Sequence, residues 1–192
     1  MIVFALVANS PLTAQTAPRP SLDVDIRDYA HVPRVAMSRA IAELQAIFDH
    51  AGVSVTATLG APTRSERRAP PPGDPRRPTV TVFVYPRIFD DVVSNDPNLL
   101  GVVPGAHDGG RLAYVFAGRI DSVARRNTAD SGQLLGIVLA HEIGHVLMPG
   151  RPHSPRGVMQ PACDAQQIRR VMLGMVGFNA EEAATLKAQM FP

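Results

Sequence analysis

Residues 131–161 read SGQLLGIVLAHEIGHVLMPGRPHSPRGVMQP, and this stretch decides how the rest of the chain is read. Asp130 or Ser131 can cap a helix, and no proline interrupts the chain until Pro149, which disfavours helical geometry at Met148. The spacing therefore predicts a helix ending near Leu147. Leu134, Leu135, Ile137, Val138, Leu139, Ile143, Val146 and Leu147 make it apolar nearly all round, so it is expected in the core. Gly136, Ala140 and Gly144 form a stripe of small residues along which it is expected to pack closely against a sheet.

Polar residues on such a helix need a reason. His141 and His145 lie four apart, so both imidazoles leave the same face and can reach one ion. Glu142 projects beside them, where a carboxylate can take a proton from a zinc-bound water as it attacks a carbonyl. The bland reading, ordinary polar side chains on an exposed face, conflicts with the apolar character of the helix, in which an uncompensated histidine or glutamate is costly. Catalytic zinc usually has three protein ligands, so a further donor is needed. His153 is the nearest candidate, because Pro149 and Pro152 restrict the link while Gly150 permits a sharp reversal. Glu181, Glu182 and Asp164 are the carboxylate alternatives.

Outward from this segment, Leu22, Val24 and Ile26 alternate with Asp23, Asp25 and Arg27, the period of a strand with one buried face. Pro33 suits a helix start, and Ile41, Leu44, Phe48 and Ala51 recur at helical spacing up to Gly52. Val53, Val55, Ala57 and Leu59 alternate as a second strand. The run TVTVFVY at 79–85 reads as a central strand covered on both faces, and LAYVF at 112–116 as another. Residues 60–78, rich in proline and arginine and without apolar period, read as a mobile surface loop. The acidic and amide residues Asp90, Asp91, Asn95, Asp96, Asn98 and Asp108 are ordinary turn formers, with calcium as a second candidate ion although a calcium-loop spacing is missing. Near the end, Asn179 with Glu182 three residues on has the form of a capping box before Ala183, Leu186 and Met190.

Together these elements predict an α/β (α+β) domain over 21–192, with a mixed, mostly parallel twisted sheet, a long active-site helix and a C-terminal helix. The chain has 192 residues, 45% of them hydrophobic, enough to enclose one core. Its 19 Lys+Arg against 17 Asp+Glu leave +2, which gives no footprint for nucleic acid. The single Cys163 cannot close an internal disulfide and reads as a small buried hydrophobe. Residues 1–20, an apolar run from Ile2 to Ala8 followed by small and polar residues, have the form of an export segment and predict a secreted or periplasmic protein. No Lys or Arg precedes the run; if it is instead a buried first strand, the location is cytoplasmic. No apolar stretch approaches the ~20 residues of a membrane span.

The segment 141–161 resembles the metzincin zinc peptidases, and within them the matrixin-like branch. The resemblance rests on HEIGH at 141–145, on Gly150 three residues before His153 with Ser154 following, and on GVMQP, which puts Met159 six residues beyond that histidine. Met148 and Pro149 lengthen the link between His145 and Gly150 by two residues relative to that family. What the resemblance implies is a zincin-like fold and an endopeptidase holding zinc on His141, His145 and His153, with Glu142 as general base and Met159 as an apolar floor in a methionine turn. It also implies that 99–103 is an antiparallel edge strand onto which a peptide or protein substrate adds. No tyrosine follows the turn, so oxyanion stabilisation is expected from zinc and backbone donors. Two other readings are a non-catalytic zinc- or peptide-binding module on the same fold, and a hydrolase with a carboxylate third ligand.

Overall fold

The computed structural model describes residues 19–60, 77–86, 99–104, 111–161 and 164–190. Strands β1 (Ser21–Asp28), β2 (Ser54–Gly60), β3 (Thr79–Tyr85), β4 (Gly101–Val102) and β5 (Leu112–Phe116) form one sheet in the order β2-β1-β3-β5-β4. All neighbours are parallel except β4 with β5. The helices are α1 (Arg34–His50), α2 (Ala117–Arg126), α3 (Ser131–Leu147), α4 (Ala165–Met172) and α5 (Ala180–Met190). This is the mixed, mostly parallel α/β architecture that the sequence predicts. None of these helices is long and apolar enough to cross a membrane.

The alternation in β1 is realised directly. Leu22, Val24 and Ile26 are buried and join Val80, Val82 and Val84 of β3 and Ala113 and Val115 of β5 in the main core. Each such side chain contributes roughly 1.5–3 kcal/mol when removed from water. Exposed pairs such as Arg125 with Asp121 contribute only a few tenths. The apolar face therefore sets the layer arrangement. β3 lies in the middle of the sheet and is covered on both faces, as expected: Thr81 and Phe83 are buried as well. On the face away from the main core, Phe83 stacks with Tyr114 and lies near Tyr29 and Tyr85. β2 is an edge strand, so its last apolar residue, Leu59, stands 57% exposed.

Two features depart from expectation. The small-residue stripe of α3 faces α1 and not the sheet. A Cβ on Gly132 or Gly136 would come within 2.6 Å of the carbonyl oxygens of Ala36 and Ala40, so the two helices meet backbone to backbone. At the far end of the stripe, Gly144 meets Met159 and Phe178. The second departure is the pair of helices α2 and α4, which the sequence reading did not separate from their surroundings.

The export segment, as far as residue 18, lies outside the described residues. So do most of the 60–78 loop, Cys163 and all six residues considered for calcium. Arg77, at the end of that loop, is described and pairs with Asp23 of β1.

Candidate metal centre

α3 begins where Asp130 accepts a hydrogen bond from the Gln133 amide at 2.8 Å and ends at Leu147, as the sequence predicts. It carries His141, Glu142 and His145 on its last two turns. Past Met148, the chain reverses at Gly150, whose φ of +74° is favoured only for glycine. The return segment brings His153 back beneath the helix. Nε2 of His145 lies 3.1 Å from Nε2 of His141 and 3.0 Å from Nε2 of His153. Ligand arms of ~2.1 Å in tetrahedral array would set such nitrogens ~3.4 Å apart. The three rings thus converge at the spacing of a shared ion.

The surroundings fit that donor set. Nδ1 of His141 lies 2.7 Å from the Val158 carbonyl, which can only accept, so the ring proton sits on Nδ1 and the Nε2 lone pair faces the cluster. Burial, together with the neighbouring His141 and His153, pushes the His145 imidazole down to about 4. Burial also lowers His141, against the Val158 bond that raises it. Neutral imidazole is the form that binds metal. Three imidazole nitrogens on a half-buried face are a donor set of the type zinc takes, with a fourth position left for water or substrate.

Glu142 is 5% exposed and lies against Gly101 of β4, so close that a Cβ there would meet Oε1 at 2.6 Å. Burial alone pushes its carboxyl up to about 8. Positive charge in front of a carboxylate acts the other way and favours the ionised, proton-accepting form. Met159 is fully buried and packs against Gly144.

The loop carrying His153 is tied down by its neighbours. The Ser154 amide donates to the Met159 carbonyl at 2.8 Å, and the Val158 amide to the Gly177 carbonyl at 3.0 Å. The Ser154 hydroxyl donates to Glu182 at 2.5 Å. The other carboxylate oxygen of Glu182 accepts from the Asn179 backbone amide at 2.8 Å, and the Asn179 side-chain oxygen Oδ1 accepts from the Glu182 backbone amide at 2.9 Å, the capping box expected from the sequence.

The carboxylates weighed as third ligands are engaged elsewhere. Asp164 caps α4 through the Gln167 amide, and Glu181 is an exposed partner of Arg151. The three tyrosines stack about Phe83 on the sheet, and none lines the cavity over the histidines.

That cavity holds about 360 Å3. Its walls include Gly101 and Val102 of β4, Val138 of α3, and Val158, Gln160 and Pro161, besides His141, Glu142, His145 and His153. Sequence reasoning did not single out Gly101, the Val158 carbonyl or Gln167. The first two act through backbone, which leaves no signature in residue type.

No family model and no curated protein matches the sequence. Solved structures do. A zinc-dependent peptidase from Methanocorpusculum labreanum aligns over 85% of this chain and 99% of its own, with a TM-score of 0.51 and 14% identity. Archaemetzincin from Methanopyrus kandleri aligns over 92% of this chain and 99% of its own, with a TM-score of 0.52 and 15% identity. At that identity the likeness is one of fold.

Proposed function

We propose that the protein is a zinc-dependent endopeptidase of metzincin type, with the ion on His141, His145 and His153 and Glu142 as general base. The observation that carries this reading is the approach of His145 Nε2 to 3.1 Å from His141 Nε2 and 3.0 Å from His153 Nε2, with Glu142 adjacent in the same cavity. The two solved neighbours, named as a zinc-dependent peptidase and an archaemetzincin, support it. Bound there, zinc supplies Lewis-acid polarisation and makes water acidic enough to attack near neutral pH.

The chain's own residues do the remainder. A substrate strand pairs along the outer edge of β4, which ends the sheet and lines the cavity, so the scissile carbonyl is held over the histidines. Glu142 takes a proton from the attacking water on a carboxylate oxygen and returns it to the leaving nitrogen. The His141 bond to Val158 keeps its Nε2 aimed at the ion. With no tyrosine in the cavity, oxyanion stabilisation falls to the ion and backbone donors. The apolar run at 2–8 supports a secreted or periplasmic location, which N-terminal sequencing of the native protein tests: a mature start between residues 15 and 21 is expected, and an intact Met1 overturns it.

The deciding experiment is metal analysis of the purified chain together with hydrolysis of a mixed peptide library. One zinc per chain and internal cleavage are expected. Glu142→Gln should keep zinc and lower kcat by about 10²–10⁴. Wild-type turnover in that variant would remove Glu142 from the mechanism, and a chain that binds zinc but cleaves nothing would favour the non-catalytic module.

A further inference from the structure

The carbonyl that orients His141 belongs to no helix or strand. Val158 lies in a turn, and the residue before it, Gly157, has a φ of +88° and no Cβ to restrict its ψ. Left to itself, the peptide unit joining these two residues could rotate and carry the Val158 carbonyl away from the ring. Both polar ends of that unit are held. Its N–H, on Val158, donates to the Gly177 carbonyl at 3.0 Å. Its C=O, on Gly157, accepts from Nε2 of Gln167 at 3.0 Å, whereas the Gln160 amide reaches the same oxygen only at 3.4 Å. A carbonyl can only accept, so the carboxamide nitrogen must be the end that faces Gly157. The arm is anchored at its base, because the Gln167 backbone amide donates to Asp164 at 2.7 Å and the neighbouring Ile168 and Val171 are buried.

We propose that Gln167 is a positioning residue of the metal centre: by holding the Gly157 carbonyl it fixes the Gly157–Val158 peptide, and through the Val158 carbonyl it keeps Nε2 of His141 turned toward the ion. This role rests on the zinc site proposed above. Gln167 is 4% exposed, and its other polar atom, Oε1, is buried with no hydrogen-bond partner. An unmatched buried acceptor is costly, and a methionine of similar length would avoid that cost. Stability alone therefore gives no reason for a carboxamide here, whereas the bond to Gly157 does. Partners that orient a ligand directly are typically worth about 10–100-fold in metal affinity. Gln167 stands one bond further out, so the lower end, about tenfold, is expected of it.

The test is zinc affinity, measured by competition with a chelator, alongside the Tm of the metal-free chain, for wild type, Gln167→Met and Ile168→Val. Gln167→Met should weaken zinc binding about tenfold while Tm stays within about 4 °C of wild type, because removal of the unmatched oxygen offsets the lost bond. Ile168→Val, which trims a buried methyl from the same helix, should lower Tm and leave zinc affinity unchanged. That split separates positioning from support, since a merely structural Gln167 would behave as Ile168 does. Should Gln167→Met not fold, Gln167→Leu, which also lacks the donor, takes its place, and collapse of both puts the value of the bond in the fold and overturns the assignment. Unchanged zinc affinity in a folded Gln167 variant, or an equal loss in Ile168→Val, overturns it too and leaves the zinc site standing. A wild-type chain that binds no zinc overturns the zinc reading and this inference with it.

Discussion

Glu142 lies flat against Gly101: a methyl group on that glycine would sit 2.6 Å from Oε1 and 2.7 Å from the carboxyl carbon. The edge strand and the proposed general base thus compete for the same space, and only glycine lets both stay. Gly101→Ala should leave zinc content at wild-type level, because the three atoms nearest the added methyl all belong to Glu142 and none to a histidine. It should reduce kcat by about 10²–10⁴, the usual contribution of a general base, because the carboxylate must rotate aside. Unchanged turnover in a metal-loaded variant would show that Glu142 acts from another position.

The third ligand separates by metal analysis. His153→Ala should weaken zinc binding severely, whereas Asp164→Ala, Glu181→Ala and Glu182→Ala should keep one zinc per chain. Glu182→Ala should nevertheless lower Tm by several degrees, since a lost cap costs about 1 kcal/mol, each kcal/mol is worth about 2–4 °C at this size, and the bond to Ser154 goes too. A carboxylate variant that loses zinc while His153→Ala keeps it would move the ligand to that carboxylate.

Gly136→Ala sets two effects of opposite sign against each other. Helix propensity alone would stabilise α3 by about 1 kcal/mol. The new Cβ would meet the Ala40 carbonyl at 2.6 Å, and overpacking of this kind costs about 1–3 kcal/mol. Contact with rigid backbone should win, so calorimetry is expected to show a lower Tm. A rise would mean that α1 and α3 can separate freely.

Asp130 carries a pH signature. Partial burial pushes its carboxyl up, but the Gln133 and Gly132 amides and the Arg39 guanidinium outweigh this and hold it below the usual range. A depressed carboxyl contributes stability that is present above the unfolded value of about 3.9 and is lost as pH falls through the folded value. Asp130→Ala should therefore be less stable than wild type by about 1 kcal/mol at pH 7. The gap should narrow progressively below about pH 4. Denaturant titrations at pH 7 and pH 3 check this, and a gap unchanged between them would detach the cap from its charge.

Much of this was legible in the sequence for physical reasons that also mark where legibility stops. Period-two alternation at Leu22, Val24 and Ile26 and the continuous run at 79–85 report burial directly, and both strands lie where they predict. The approach of His153 followed from the need for a third donor near a glycine that can turn. α2 was missed although Ile120 and Ala124 have helical spacing, because it starts straight after β5 with no side-chain cap to mark the change. α4 is only eight residues long, and its cap, Asp164, was weighed as a ligand instead. The stripe on α3 was visible, but small residues say that something approaches closely and not what. Gln167 carried no signal, since an unmatched oxygen is a property of packing and not of residue type.

The backbone contact between α1 and α3 bears on how the centre acquires its ion. Two of the three proposed ligands stand on a helix whose position is fixed by main-chain atoms before any cation arrives, so on this reading loading orders little beyond the 150–153 turn. A zinc finger, which folds only around its metal, is the opposite case. Chelation should strip this protein to a folded apo form whose stability falls only by the mass-action share of binding, and the stripped scaffold should reload at once when zinc is returned.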